Sequence, residues 1–305
     1  MRDEVCDRLP RWLKRNVPKG GAQQFTRQLL DDLHLATVCQ HARCPNRMEC
    51  YSEKTATFLI LGDVCTRRCR FCGVQQGKPR PVDPDEPRRV AQAAARLGLE
   101  HVVITCVTRD DLPDGGAEHF CRTITEVRRA TGATVEVLPS DFAGNAAAVD
   151  RLVAAAPEVY NHNAETVPRL FAAVRGRRAD YRWTLEMFRR IRAASPAIRL
   201  KTGLMLGLGE TREELFDTLA DLLEAGCRLL TLGQYLQPSA AQMPVARYLA
   251  PEEFAELGRL ARQMGFAQVA SGPLVRSSYH AREMAKGDEN TTETRRTQRR
   301  EIGIE

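Results

Sequence analysis

The 305-residue chain is poor in aromatic residues and has no apolar run of membrane-spanning length. Aromatic side chains make up 6% of the residues, and no stacking motif accompanies them, which gives nucleic-acid binding little support. Without a long apolar run, the sequence predicts no transmembrane helix. We therefore expect neither nucleic acid nor a membrane among its partners.

The N-terminal sequence shows no targeting signal. It reads MRDEVCDRLPRW, which contains acidic residues and no apolar core segment, so neither a secretory signal nor a transit peptide is expected. We therefore expect a cytoplasmic protein. In such a reducing compartment, clustered cysteines bind metal more often than they form disulfides.

The cysteines that are present are concentrated in two groups of three. Six of the ten fall within 34 residues. Their patterns are Cys39-x4-Cys44-x5-Cys50 and Cys65-x3-Cys69-x2-Cys72. A closed tetrahedral zinc site needs four ligands, so each triplet is one ligand short. Three thiolates on a cubane iron–sulfur cluster leave one iron open for a substrate or another ligand. The triplets therefore predict iron–sulfur chemistry beyond simple electron transfer.

Positive charge is concentrated in the same part of the chain. The net charge is +6, and residues 1–80 hold 15 Lys and Arg against 8 Asp and Glu. Two interpretations remain open. The cations form an ordinary solvated surface, or those near Cys65–Cys72 offset cluster charge or meet an acidic partner.

Strand-like and helix-like segments alternate after the cysteines. The predicted strands are Thr57–Leu61, His101–Val107, Thr134–Leu138, Glu158–Asn161, Ile198–Leu206 and Leu229–Tyr235. The predicted helices lie near 87–97, 116–130, 144–155, 166–174, 182–194 and 211–225, with a further helix from Pro251 to Met264. Six repeats predict an α/β fold, a partial (β/α)6 TIM-type barrel with N- and C-terminal extensions. The second triplet follows the first strand, at the end of the barrel where active sites lie.

The chain divides into three predicted regions. Residues 1–50 form an N-terminal extension that carries the first triplet. Residues 51–285 form the barrel. Residues 286–305 are polar and lack periodicity, which predicts a disordered tail.

The second triplet, with Phe71 before its last cysteine, resembles the signature of radical S-adenosylmethionine (SAM) enzymes. The resemblance implies that Cys65, Cys69 and Cys72 hold a [4Fe–4S] cluster whose open iron binds the methionine part of SAM. An electron from that cluster would cleave SAM to a radical that abstracts hydrogen. A structural zinc loop with a distant fourth ligand is the alternative.

Two glycine-containing segments strengthen this resemblance. Residues 114–117, Asp-Gly-Gly-Ala, are similar to the element that meets the methionine amino group, with Ala117 in place of the usual Glu. Residues 203–207, Gly-Leu-Met-Leu-Gly, are similar to the family's glycine-rich strand beside adenosine. The resemblance implies SAM contacts at Gly115, Gly116, Gly203 and Gly207.

The first triplet narrows the resemblance to the lipoyl synthase family. Its sequence from Cys39 is Cys-Gln-His-Ala-Arg-Cys-Pro-Asn, and an Arg-Ser-Ser-Tyr-His segment stands at residues 276–280. The likeness covers about residues 8–286, with small departures at Gly73 and Ala164. It implies a second, auxiliary [4Fe–4S] cluster on Cys39, Cys44 and Cys50, completed by a serine. Ser278 is favoured as that ligand, and Ser277 is the second choice.

The family's reaction is sulfur insertion at C6 and C8 of an octanoyl group on a lysine of a carrier protein. These C–H bonds have no acidic proton, so acid–base catalysis cannot open them and a carbon radical is required. The resemblance implies catalytic roles for Cys65, Cys69, Cys72 and Ser278, with the auxiliary cluster consumed as sulfur donor. It also implies two partners, an octanoylated lipoyl-carrier domain and a low-potential electron donor of flavodoxin or ferredoxin type.

Two other functions remain open. Another two-cluster radical SAM enzyme, for a different sulfur insertion or a peptide modification, would generally carry further cysteines after the barrel, whereas the last one here is Cys227. A two-cluster electron carrier would need no barrel and would use four cysteines per cluster. The single cysteines at positions 6, 106, 121 and 227, and the histidines at 162 and 280, are given no ligand role.

Overall fold

The structure is a computed structural model that describes residues 9–14 and 21–285. Its strands are β1 Ala36–Thr37, β2 Thr57–Ile60, β3 Val64–Cys65, β4 Gln75–Gln76, β5 His101–Cys106, β6 Thr134–Leu138, β7 Val159–Asn161, β8 Arg199–Leu206, β9 Leu229–Gln234 and β10 Gln268–Gly272. Its α-helices are α1 Ala22–Asp32, α2 Val38–His41, α3 Arg47–Ser52, α4 Glu86–Leu97, α5 Ala117–Thr131, α6 Ala146–Ala154, α7 Pro168–Arg175, α8 Tyr181–Ala194, α9 Arg212–Glu224, α10 Pro251–Met264 and α11 Ala281–Ala285. Across the described ranges, no helix is both long and apolar enough to span a membrane.

Eight of the strands form one sheet in the order β1-β2-β5-β6-β7-β8-β9-β10. The short β1 is antiparallel to β2, and every later pair is parallel. Six strand–helix units therefore run from β2 to α10, and β10 adds a seventh parallel strand. Within the described residues the two end strands do not pair, so the barrel is open. The predicted partial (β/α)6 barrel is confirmed.

The seventh parallel strand, β10, was not predicted. Its residues are Gln-Val-Ala-Ser-Gly, which are small or polar and only partly buried at the edge of the sheet. Such a segment shows neither an apolar run nor strict alternation, so the usual strand signal is weak. The strand matters for function because it leads directly into the Arg-Ser-Ser-Tyr segment.

Local capping signals place the helices that follow β8 and β9. Oγ1 of Thr211 accepts a hydrogen bond from the Glu214 amide at 3.2 Å, and Oε2 of Glu214 accepts one from the Thr211 amide at 2.9 Å. This reciprocal pair starts α9 as the sequence predicts. Pro251 starts α10 and Gly265 follows its end, also as predicted.

A buried ion network joins four neighbouring strands. Nζ of Lys201 on β8 lies 2.9 and 3.0 Å from the two carboxylate oxygens of Glu136 on β6. Asn161 on β7 donates to the same carboxylate at 3.0 Å, and Nε2 of His101 on β5 lies 3.6 Å from it. Burial raises the pKa of Glu136, but the charge of Lys201 and the hydrogen bonds outweigh it, so the pKa is lowered.

The predicted regions map onto the fold unevenly. The expected boundary at residue 50 falls inside α3, and β1 from the N-terminal extension pairs with the first barrel strand. The predicted disordered tail, residues 286–305, lies outside the described residues. The division of the chain into an extension and a barrel stays a prediction.

Candidate functional site

A cavity of about 430 Å³ lies at the carboxyl-terminal side of the sheet. Its walls come from the carboxyl halves of β5, β6, β8 and β9 and from the loops that follow them. This is the end of a barrel at which active sites are built. Among the lining residues, only Arg43 and Gln237 are exposed, so the mouth of the cavity lies beside these two.

The first cysteine triplet lies on two short helices at one wall of this cavity. Cys39 is on α2, which Thr37 caps by accepting a hydrogen bond from the Gln40 amide at 3.3 Å. Cys39 and Cys44 line the cavity, whereas Cys50, on α3, is not among the lining residues. Burial raises the pKa of the Cys39 thiol to about 11.

The second triplet lies on a loop that starts at the end of β3. Cys65, Cys69 and Cys72 all line the cavity. Thr66 attaches one side of the loop to the end of β5, since its amide and hydroxyl donate to the Thr108 carbonyl at 3.0 and 2.9 Å. The loop also contacts the end of α7, where the Arg70 amide donates to the Val174 carbonyl at 2.9 Å. Burial raises the pKa of Cys69, and it raises the pKa of Cys72 to about 12.

A buried arginine inside this loop ties it to two strands. Arg67, 4% exposed, donates to both oxygens of Asp110 at 2.8 and 2.9 Å and to Oδ2 of Asp141 at 2.7 Å. Arg175 lies 3.5 Å from the same oxygen of Asp141. Burial raises the pKa of Asp141, but the hydrogen bond and charge of Arg67 outweigh it, so the pKa is lowered. The loop is thereby held between the residues that follow β5 and β6.

The Arg-Ser-Ser-Tyr segment completes the cavity from the end of β10. Residues 275–278 line it beside the first triplet. Oγ of Ser277 accepts a hydrogen bond from Nδ2 of Asn163 at 3.3 Å. The Ser278 side chain has no hydrogen bond to any described residue. The two serines therefore differ, because the Ser277 hydroxyl already has a protein partner and the Ser278 hydroxyl does not.

Two hydrogen bonds fasten this segment to the first triplet. Asn46 donates from Nδ2 to the Leu274 carbonyl at 2.7 Å, and the Tyr279 hydroxyl donates to Oε1 of Glu49 at 3.0 Å. Asn46 and Glu49 both lie between Cys44 and Cys50. The serines are therefore held from both sides against the cysteines that the resemblance assigns to the auxiliary cluster.

The cavity wall also contains a group of polar residues that the sequence patterns do not predict as site residues. Nδ1 of His162 lies 3.2 Å from the Pro139 carbonyl, and because a carbonyl only accepts, Nδ1 carries the proton. Burial lowers the pKa of His162 to about 4, so Nε2 is an unprotonated acceptor. Nε2 of His162, Oδ1 of Asn163 and Nε of Arg175 are buried without a hydrogen-bond partner among the described residues. The cavity therefore offers both acceptors and a donor to a polar ligand.

The four predicted SAM-contacting glycines are not all at the cavity. Gly203 lines it, and a Cβ there would come within 2.7 Å of Oγ1 of Thr231. The other three lie outside the lining. Gly207 has a positive φ of 93° and packs against the backbone of the loop after β9. Gly115 and Gly116 form the turn before α5, where a Cβ on Gly116 would lie 2.3 Å from Leu61. Their contact with SAM stays a prediction.

The structure also locates most of the cysteines that the sequence gives no ligand role. Cys106 lines the cavity, although the sequence assigned it no role, and burial raises its pKa to about 12. Cys227, just before β9, is buried and does not line the cavity, and burial raises its pKa to about 12 as well. Cys6 lies outside the described residues. Arg276 lines the cavity next to the serines.

The donor set fits iron–sulfur clusters better than single metal ions. No three described His, Cys, Asp or Glu side chains converge as ligands of one ion. A cubane does not need such convergence, because each thiolate binds a different iron. None of the described cysteines forms a disulfide, and five triplet thiols line one cavity. The unpartnered polar atoms beside them suit an organic ligand such as SAM.

Comparison with known proteins agrees with this geometry. The model of the radical SAM superfamily matches residues 59–222, and that of the N-terminal domain of lipoyl synthase matches residues 2–44. The chain is 58% identical to the lipoyl synthase of Rhodopirellula baltica, covering 92% of this chain and 89% of that one. It is 51% identical to the lipoyl synthase of Caldanaerobacter subterraneus subsp. tengcongensis, covering 90% and 96%.

Solved structures show the same fold at low identity. The crystal structure of Streptococcus suis SuiB bound to precursor peptide SuiA has a TM-score of 0.57 at 10% identity, covering 78% of this chain and 54% of that one. Methylornithine synthase has a TM-score of 0.51 at 12% identity, covering 81% of each chain. At these identities the likeness concerns the fold alone.

Proposed function

The chain belongs to the lipoyl synthase family of radical SAM enzymes, and we propose that its two cysteine triplets bind two clusters with different tasks. It is a sulfur-inserting enzyme that uses SAM and two [4Fe–4S] clusters, as that family does. In our proposal Cys65, Cys69 and Cys72 bind the cluster that binds SAM. Cys39, Cys44, Cys50 and Ser278 would bind the auxiliary cluster.

One observation carries this assignment: a single cavity is lined by Cys39 and Cys44 of the first triplet, by all three cysteines of the second, and by the serine segment. A carbon atom that loses hydrogen to a SAM-derived radical and then gains sulfur must meet both reagents without leaving the site. A shared cavity of about 430 Å³, within the range of small-molecule sites, supports that sequence of events. Two clusters used for electron transfer alone would need no such space.

The residues of this chain would bind, orient and enclose the reactants. When bound, the clusters supply the electron that cleaves SAM and the sulfur that replaces hydrogen at C6 and C8 of the octanoyl chain. Apolar side chains such as Val38, Val107 and Leu138 line the cavity and suit an acyl chain. Enclosure by these walls would exclude water and hold the reacting carbon close to both reagents.

The geometry favours Ser278 over Ser277 as the fourth ligand of the auxiliary cluster. The Ser277 hydroxyl accepts a hydrogen bond from Asn163, whereas the Ser278 hydroxyl has no partner among the described residues. An alkoxide is a harder ligand than a thiolate and a less natural partner for this iron, so it can leave more readily. That property suits a cluster that must be opened to release sulfur.

The substrate class and the reductant follow from the family, and their docking is our proposal. The enzyme acts on a lipoyl-carrier domain and needs a reductant. We propose that the octanoyl-lysine of the carrier enters between Arg43 and Gln237, the exposed lining residues. An acidic carrier would be attracted by the basic N-terminal third. Turnover of a carrier domain should then fall with salt more steeply than turnover of a short octanoyl peptide; equal salt dependence would contradict the docking.

Anaerobic reconstitution tests the function directly. The reconstituted protein would be given SAM, a reductant and an octanoyl-lysine peptide. We expect a product heavier by two sulfur atoms less two hydrogens, with two molecules of 5′-deoxyadenosine formed for each. SAM cleavage without sulfur transfer would instead indicate a different two-cluster radical SAM enzyme. Reduction without SAM cleavage would indicate an electron carrier.

A further inference from the structure

Four exposed arginines near the second triplet have no ionic partner. Their side chains make no ion pair or hydrogen bond within the part of the chain that the structure describes. They are Arg68, Arg70, Arg177 and Arg178, called here the cysteine-loop arginines. Exposed arginines elsewhere are commonly paired. Examples are Arg151 with Glu118, Arg190 with Asp150, and Arg212 with Glu256.

The cysteine-loop arginines come from two segments that touch each other. Arg68 and Arg70 flank Cys69 in sequence, and Arg177 and Arg178 follow the end of α7. The amide of Arg70 donates to the carbonyl of residue 174 at 2.9 Å. Sγ of Cys69 lies 3.5 Å from the carbonyl of residue 175. Four uncompensated positive charges are therefore gathered at the outer surface beside Cys69.

This surface is separate from the substrate entrance. None of the cysteine-loop arginines lines the cavity, whose exposed lining residues are Arg43 and Gln237. Arg43 belongs to the first triplet's loop and donates to the Pro238 carbonyl at 3.0 Å. A carrier that inserts its acyl-lysine must approach that mouth. The cysteine-loop arginines instead lie beside the loop that would hold the SAM-binding cluster.

We propose that the cysteine-loop arginines dock the electron donor, a small one-electron redox protein with a carboxylate-rich surface around its cofactor. The proposal rests on the assignment of Cys65, Cys69 and Cys72 to the SAM-binding cluster. In each encounter the reduced donor loses one electron and that cluster gains it, and no bond forms or breaks. Charge attraction without an apolar anchor suits such a partner, because electron-transfer encounters are small and must dissociate after each transfer.

Electrostatic attraction of this kind has a measurable salt dependence. Clustered charge of one sign raises association rates by about 10- to 1,000-fold at low salt. The effect is screened as the Debye length falls from about 30 Å at 0.01 M to about 3 Å at 1 M ionic strength. A docking role therefore predicts a defect that is large at low salt and absent at high salt.

The experiment measures cluster reduction rather than turnover. The reconstituted holoenzyme would be mixed with a reduced acidic flavodoxin in a stopped-flow instrument. Reduction is followed by loss of cluster absorbance and by the EPR signal that responds to SAM. The variants are R177E/R178E and the milder R68Q/R70Q/R177Q/R178Q, so that the test survives if one of them folds poorly. The matched control is R96E/R259E, which reverses two exposed arginines on α4 and α10.

We expect both docking variants to be reduced roughly 10- to 100-fold more slowly than wild type at about 0.01 M ionic strength. The rates should converge at high salt, and R96E/R259E should behave as wild type. Reduction by the methyl viologen radical cation, a small positively charged reductant, should not slow in any variant. This pattern would separate docking from damage to the cluster.

Three results would overturn the proposal. Equal reduction rates for all proteins at low salt would show that the donor docks elsewhere. Slower carrier turnover with methyl viologen, together with normal reduction by flavodoxin, would assign the surface to the carrier instead. A wild-type protein with iron but no SAM-responsive signal would overturn the cluster assignment itself, and with it this proposal.

Discussion

The hydroxyl of Tyr279 donates a hydrogen bond of 3.0 Å to Oε1 of Glu49, although 230 residues separate them in sequence. A second bond, from Asn46 to the Leu274 carbonyl, spans 228 residues on the other side of the serines. These two bonds lie on either side of Ser277 and Ser278 and are called here the flanking hydrogen bonds. The distance between the serines and the first triplet is therefore set by two side chains of the triplet's own loop.

Replacing Tyr279 with Phe should remove one of the flanking hydrogen bonds without changing the shape of the ring. A hydrogen bond to a charged group contributes about 1.5–3 kcal/mol, and we expect a comparable fall in the free energy that holds the segment in place. The auxiliary cluster should then lose iron to a chelator roughly tenfold faster, since 1.4 kcal/mol corresponds to a factor of ten.

The matched control for Tyr279→Phe is Tyr181→Phe. The Tyr181 hydroxyl donates to Asp221 at 3.1 Å, far from either triplet in sequence. This change removes the same kind of bond and should lower the free energy of unfolding similarly, while leaving iron loss unchanged. If the two variants lost auxiliary iron at the same rate, the hydrogen bond of Tyr279 would have no specific role in retaining the auxiliary cluster.

Replacing each serine with Ala should separate their roles. Ser278→Ala should prevent normal assembly of the auxiliary cluster and lower lipoyl product formation more than tenfold, while SAM cleavage continues. Ser277→Ala removes only the bond from Asn163, worth about 0.5–1.5 kcal/mol, and should retain that cluster. Iron content, Mössbauer spectra and product analysis would measure both. The reverse pattern would identify Ser277 as the ligand.

Arg67 should be intolerant of substitution by Lys. A lysine ammonium is a point charge and cannot reproduce the bidentate bond to Asp110 together with the bond to Asp141. Removing one partner of a buried charge pair costs about 3–5 kcal/mol, which is the upper limit for this change. We expect a lower free energy of unfolding by urea and a weaker SAM-responsive EPR signal.

Arg169→Lys serves as the control for Arg67. Arg169 pairs with Glu214 in the same forked geometry, but its side chain is 54% exposed. Exposed pairs contribute about 0–1 kcal/mol, so this variant should resemble wild type in both measurements. A large loss in Arg169→Lys, or none in Arg67→Lys, would contradict the argument from burial.

Lys201→Met should destabilise the barrel without affecting the chemistry. The change leaves the buried carboxylate of Glu136 without its main counter-charge, and we expect a loss of about 3–5 kcal/mol in the free energy of unfolding. The double variant Glu136→Gln, Lys201→Met removes both charges and should recover part of that loss. Folded Lys201→Met should still insert sulfur, since neither residue lines the cavity. If the losses of unfolding free energy from the two single changes simply added in the double variant, the two charges would not stabilise each other, which would contradict this prediction.

Much of the barrel could be predicted because its signals are local. Each buried strand from β2 to β9 in the main sheet is a short apolar or β-branched run, and the helices carry caps such as Thr211 with Glu214. β10 could not be predicted, because an edge strand of small and polar residues lacks that pattern. The sequence also gives His162 no ligand role, since a lone histidine usually has a structural role. Only the cavity shows that its Nε2 is buried without a partner.

The sequence by itself determined the two cysteine loops, because three thiols within a few residues stay close whatever the rest of the chain does. It also determined the alternation of strands and helices, which depends on local periodicity. Tertiary structure alone decided which distant groups meet these loops. Strand order brings β10 and its serines back to the first triplet, and it brings Asp141 to Arg67. It also distinguished Ser278 from Ser277, because only the folded chain places Asn163 beside one hydroxyl and not the other.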